Sequence, residues 1–155
     1  MLKWSAKSNV ALRFFSIEKL TSVKSNSKLR STLMNQQIEI IQRYFNMWKN
    51  KKLIDLAQIF TPSVHYVECY GAEYVGIQEI QRWITHKFKV QTVNCWDIKN
   101  IYHDDATYIV EWVFACVDHG KNFKFDGISL ITFEDLQIAE IKEFESKHSH
   151  YRPYQ

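Results

Sequence analysis

Glu111 and Asp126 are the two acidic residues whose spacing best suits joint chemistry. They lie in two strand-like runs, Thr107–Asp118 and Asn122–Phe133, separated by His119-Gly120. A two-residue loop at His119-Gly120 makes these runs a hairpin with Asp118 opposite Lys121. That register sets Glu111 opposite Ile128 and Asp126 opposite Val113, so the two carboxylates are diagonal neighbours on one face. Among Val113, Ala115 and Ile128, burial and mutual repulsion would keep one of them protonated. Such a pair could act as general base and general acid on an enolisable carbonyl or an epoxide. The alternative is that this face, which also carries Lys124, is the outer one. There the pair would form salt bridges or lie between subunits. Alternation assigns residues to faces, and does not say which face is concave.

The opposite face of the hairpin is aromatic: Trp112, Phe114 and Cys116 share it with Phe123, Phe125 and Gly127. Trp83, Trp96 and Trp112, with Phe125, are expected to wall any cavity, and a buried indole N–H needs an acceptor. Their plainer role is core packing. Tyr70 could donate to a ligand oxyanion. His148 and His150 fall on one face of the chain end with no third ligand near in sequence, so no metal site is expected. His148 fits better as a general base or a lid over the pocket. His65 reads as a core or edge residue and His119 as part of its turn. Cys69, Cys95 and Cys116 are odd in number, lack CxxC spacing and sit in apolar runs, which points to reduced, packed thiols. No GxSxG, P-loop, GxGxxG or HExxH motif occurs, and no cofactor is expected.

The elements that must position these residues follow from periodicity. With 155 residues, 46% of them apolar and 15% aromatic, the chain can bury an ordinary core. Its formal charge of +3 is uneven: residues 1–33 hold seven basic residues and seven serines against Glu18 alone. The remainder is mildly acidic, which argues against nucleic-acid binding. No apolar run is long enough to span a membrane. The basic stretch 1–33 reads as an appendage: a disordered tail, a stretch read from an upstream start codon with the working protein beginning at Met34, or an organellar transit peptide; without such a leader the chain would be cytoplasmic. The domain proper is expected at 34–155. Asn35 could cap a helix carrying Ile38, Ile41, Phe45 and Trp48. A short helix at Leu53–Phe60 would end at Thr61-Pro62. A strand at Ser63–Tyr70 places Val64, Tyr66, Glu68 and Tyr70 on one face. A helix at Ile77–Phe88 follows, then strands at Val90–Tyr102, the hairpin, and Gln137–Ser146. Clustered helices followed by a meander define an α+β fold with helices on one side of a curved antiparallel sheet.

This order of elements resembles the nuclear transport factor 2-like superfamily, and within it the SnoaL-like domains. The resemblance covers Met34 to about Tyr154. It rests on Tyr44-Phe45 and Trp48, Ile59-Phe60-Thr61, Gly76-Ile77 with Ile80 and Trp83, Glu111-Trp112, Phe125-Asp126-Gly127, and the closing Ile138, Ile141 and Phe144. It implies a cone, with the sheet wrapped around about three N-terminal helices and a cavity between them. The superfamily includes polyketide cyclases, ketosteroid isomerase, limonene epoxide hydrolase, scytalone dehydratase and many non-catalytic binding domains, and many members dimerise through the sheet. Its enzymes draw acid–base groups from pocket-facing strand positions, which adds Glu68 and Glu143 to Glu111, Asp126 and His148 as proton-transfer candidates. The expected ligand is a small, largely apolar molecule. The activity would be cofactor-independent isomerase, cyclase, dehydratase or hydrolase chemistry, with a non-catalytic binding or dimerisation module as the alternative.

Overall fold

A computed structural model describes the backbone of residues 8–155 and the side chains from Asn26 onward. The chain forms two compact units, residues 1–36 and 37–155. One helix, α1 (Ser8–Asn50, 43 residues), runs through both. Asn35 therefore lies inside a helix and does not cap one. No glycine or proline occurs before Pro62, so nothing in the backbone stops helix propagation across residues 8–50. In the first unit Ser31 and Thr32 return their hydroxyls to the Lys28 carbonyl at 2.8 and 3.0 Å. This is how such residues are accommodated within a helix. The transit-peptide reading begins on residues 1–7, which lie outside the described residues.

In the second unit, the end of α1 buries Ile41, Tyr44, Phe45 and Trp48, at the three- and four-residue steps of one helical face. The expected helix at Leu53–Phe60 is a single 3-10 turn, Leu56–Gln58, capped by Asp55 through Ala57 N at 3.1 Å. The unit thus has two helices and this turn instead of three helices. Six strands follow or flank: β1 (Phe60–Val67), β2 (Glu73–Val75), then helix α2 (Ile77–Val90), β3 (Gln91–Asp104), β4 (Thr107–Asp118), β5 (Lys121–Glu134) and β6 (Gln137–Lys147). β1 begins earlier than the alternation suggests and includes Thr61-Pro62. Its pairing with β6 is irregular between Phe60 and His65, and a proline is tolerated at such an irregularity.

The strand order is β2-β1-β6-β5-β4-β3. β1 runs parallel to β6, so the sheet is mixed and not wholly antiparallel. A parallel neighbour requires a long crossover, here the chain from β2 through α2 and the meander. The β4–β5 hairpin has the expected register throughout, including Asp118↔Lys121, Glu111↔Ile128 and Val113↔Asp126. His119 (φ 47°) and Gly120 (φ 77°) both take the left-handed conformation of a two-residue turn. Among the described residues, no helix is long and apolar enough to cross a membrane.

Candidate functional site

The inner face of the sheet and the ends of α1 and α2 enclose a cavity of about 40 Å³. A water needs about 10–15 Å³ of such space, so the cavity holds about three water-sized groups. Trp48, Trp83, Trp96, Trp112, Phe114 and Phe125 form its apolar wall, and Glu68 and Glu143 are its two acids. Tyr70, with 63% of its surface exposed, stands at the mouth.

Strand pairing brings the polar part of the site together. Tyr66 on β1 pairs in parallel register with Ile141 on β6, and Glu143 on β6 lies opposite Ser129 on β5. Glu143 therefore lies beside Ser129 and one same-face step diagonal to Tyr66, across three adjacent strands. The Tyr66 phenol donates to Glu143 Oε1 at 2.6 Å. Ser129 accepts the Trp112 indole N–H at 2.9 Å and turns its own hydroxyl to the same Glu143 oxygen at 3.5 Å. Trp112 can lie across β5 because residue 127 is glycine. A Cβ there would collide with the Trp112 ring and the Phe144 carbonyl oxygen.

This setting makes Glu143 a weak acid. The side chain is half-buried and lines the cavity. Burial pushes its carboxyl up and the charge of Glu68 adds to this, while the bonds from Tyr66 and Ser129 oppose it; the result is a carboxyl pushed up to about 7. Burial also raises Glu68, against the Tyr74 phenol that donates to it at 2.7 Å and the charge of Lys87. The Tyr66 phenol is pushed well above the usual range by burial and by the Glu143 charge, so it remains a donor. Glu143 Oε2 receives neither of the two hydrogen bonds to this side chain and is open to a ligand.

The structure separates the remaining candidates. Glu111 and Asp126 are on the outer face of the sheet. Glu111 accepts from Asn100 Nδ2 at 2.7 Å, and Asp126 pairs with His148 Nδ1 at 2.6 Å. The inner face is the aromatic one, since Trp112, Phe114 and Phe125 line the cavity together with Trp48 of α1 and Trp83 of α2, and period-two alternation then turns Glu111 and Asp126 outward. His148 goes with Asp126, away from the cavity. Glu68, Glu143, Tyr70, Trp83, Trp96, Trp112 and Phe125 all line the cavity. His65 forms an edge pair with Glu73 at 3.1 Å. The three cysteines are free thiols, and burial pushes Cys69 up to about 12 and also raises Cys95 and Cys116. None is poised as a nucleophile. Among the described residues, no group of three or more His, Cys, Asp or Glu is placed to hold a metal ion.

Tyr66, Tyr74 and Ser129 were not singled out by sequence reasoning. Tyr66 carried a signal, since it shares a strand face with Glu68 and Tyr70. Ser129 carried another, as the one hydroxyl on the inner face of an apolar run, opposite a glutamate.

Residues 41–141 match the family model of the SnoaL-like domain. No curated protein matches the chain. Solved structures share the fold at low identity. An epoxide hydrolase of M. tuberculosis, described as LEH-like, is 12% identical with a TM-score of 0.65, over 72% of this chain and 84% of that one. A candidate polyketide cyclase of Xanthomonas campestris is 11% identical with a TM-score of 0.60, over 72% and 91%. A protein of Catenulispora acidiphila with a ketosteroid isomerase-like fold, solved in complex with trimethylamine, is 18% identical with a TM-score of 0.59, over 72% and 87%.

Proposed function

We propose, from the premise that this chain belongs to the family of SnoaL-like domains, that it binds a small, largely apolar molecule and moves a proton to or from it through Glu143. The relatives carry names as different as cyclase and epoxide hydrolase, so the shared fold does not select the chemistry. The observation that supports this reading is the environment of Glu143, a carboxyl pushed up to about 7 beside an aromatic cavity and held through one oxygen by Tyr66. Near neutral pH both protonation states are populated, which is what a general acid–base group requires. With Oε1 engaged, Oε2 is the atom that would take a proton from a carbon acid or deliver one to a leaving oxygen. Glu68, the other lining acid, would sit against the same ligand and favour the neutral form of Glu143.

The chemistry fits proton abstraction next to a carbonyl or acid-assisted opening of a strained ether, without a cofactor. The test is solvent deuterium exchange. Incubation of the full chain in deuterium oxide with a panel of small enolisable ketones should give protein-dependent mass gain, and Glu143→Gln should abolish it. Exchange that survives Glu143→Gln, or no exchange with any member of the panel, would remove the catalytic reading. The narrowness of the cavity favours a second reading, a non-catalytic binding module. That reading predicts ligand-dependent quenching of tryptophan fluorescence with no exchange.

A further inference from the structure

Most of the donors around the cavity are already engaged within the protein. The Tyr66 phenol is engaged by Glu143, the Trp112 N–H by Ser129, and the Gln91 amide by Cys116 Sγ and Asp118. The Cys69 thiol points to Glu145 at 3.6 Å. The indole nitrogens of Trp48, Trp83 and Trp96 have no partner and are out of reach of solvent. These residues line the cavity with their aromatic rings. Among the described residues, no lysine or arginine lines the cavity. Lys87, whose charge reaches Glu68, is paired with Asp118 at 3.0 Å. What remains is the Tyr70 phenol beside Cys69 at the mouth and one free oxygen on each of two acids, surrounded by aromatic surface.

Given the reading of this cavity as a small-molecule site, on which this step rests, we infer that its ligand carries a cationic, alkylated nitrogen, as in a small tertiary or quaternary amine. Aromatic faces attract such a head group through their quadrupoles, and a cation beside Glu68 and Glu143 would favour their ionised forms, which supply the counter-charge. The volume agrees, because space for about three water-sized groups suits one compact, branched head with its tail leaving past Tyr70.

The test compares choline with dimethylbutanol, its neutral carbon isostere, by calorimetry on the full chain, with tryptophan fluorescence reporting binding at the cavity. Choline should bind at least about tenfold more tightly than the isostere, the scale expected of a cation against aromatic faces and a carboxylate. Glu143→Gln, which keeps an acceptor for Tyr66, should remove that preference. Glu68→Gln, at a less enclosed position, should weaken choline in the same direction and covers the case in which Glu143→Gln fails to fold. Equal or tighter binding of the isostere overturns the cationic ligand while leaving the pocket reading intact. A choline preference that survives both substitutions also overturns it. Failure of both probes to bind or to quench fluorescence overturns the two readings together.

Discussion

Replacing Glu143 with glutamine should flatten the pH dependence of stability, and the size of the effect follows from its surroundings. Glu143 is pushed from an ordinary 4.5 up to about 7 in the folded protein, mainly by burial. Between those values the folded chain holds a proton that the unfolded chain has released. Stability therefore falls as pH rises through this window, by about 1.4 kcal/mol per pH unit. The contribution is fully present below 4.5 and is lost once pH passes 7, for a total of at most about 3 kcal/mol. Glu143→Gln retains an acceptor for Tyr66 but has no proton to lose. Its urea-unfolding free energy should lack this slope, so that the variant gains on the wild type as pH rises from 4.5 to 8. Glu68 is present in both proteins, so most of its own contribution cancels in the difference between them. The assay is urea denaturation followed by tryptophan fluorescence at half-unit pH steps, with the denaturant dependence checked for constancy. Parallel pH profiles for the two proteins would refute the reasoning, as would a uniform loss in the variant at every pH.

Three further outcomes are expected. Gly127→Ala should destabilise the fold by about 1–3 kcal/mol, the usual range for overpacking, and alter tryptophan emission, because the new methyl meets the Trp112 ring and an immobile backbone oxygen of Phe144; wild-type stability and emission would count against the close approach. Asp126→Asn and Glu111→Gln should each change stability by less than about 1 kcal/mol and leave the Glu143 titration unmoved, as measured by denaturation and NMR, since both sit on the outer face. We propose that this outer face pairs two copies of the chain, because Ile109, Ile128, Leu130 and Phe144 are exposed on neighbouring strands there. Sedimentation should give a dimer that Ile128→Lys converts to monomer, and a monomeric wild type would contradict this.

Much of this architecture is legible in the residues, and the gaps have physical causes. The β4–β5 register is local. His119-Gly120 demands a two-residue turn, and from Asp118↔Lys121 every later pair follows by counting. The choice of face is not local. Both faces of the hairpin carry enough apolar surface to be buried, and the decision is made by helices distant in sequence, through contacts such as Trp48 with Trp96 at 6.1 Å. For the same reason alternation alone ranked Glu111 and Asp126 first, although they face away from the cavity. Glu143 could be named from its strand, but its partner Tyr66 is 77 residues away and reaches it only through the parallel β1–β6 pairing. Leu53–Phe60 has the spacing of a helix and forms only one 3-10 turn, because the strand that follows claims Phe60 for pairing with Ile138. The Asn35 cap fails for the opposite reason, since an uninterrupted helix needs no cap at that position.

The titration of Glu143 itself tests the central claim most directly. In protein labelled with carbon-13 at glutamate side chains, the carboxyl resonance absent from Glu143→Gln is assigned to this residue and followed from pH 3 to 9. A midpoint near 7 is the predicted result. A midpoint in the ordinary carboxylate range, near 4.5, would contradict the account.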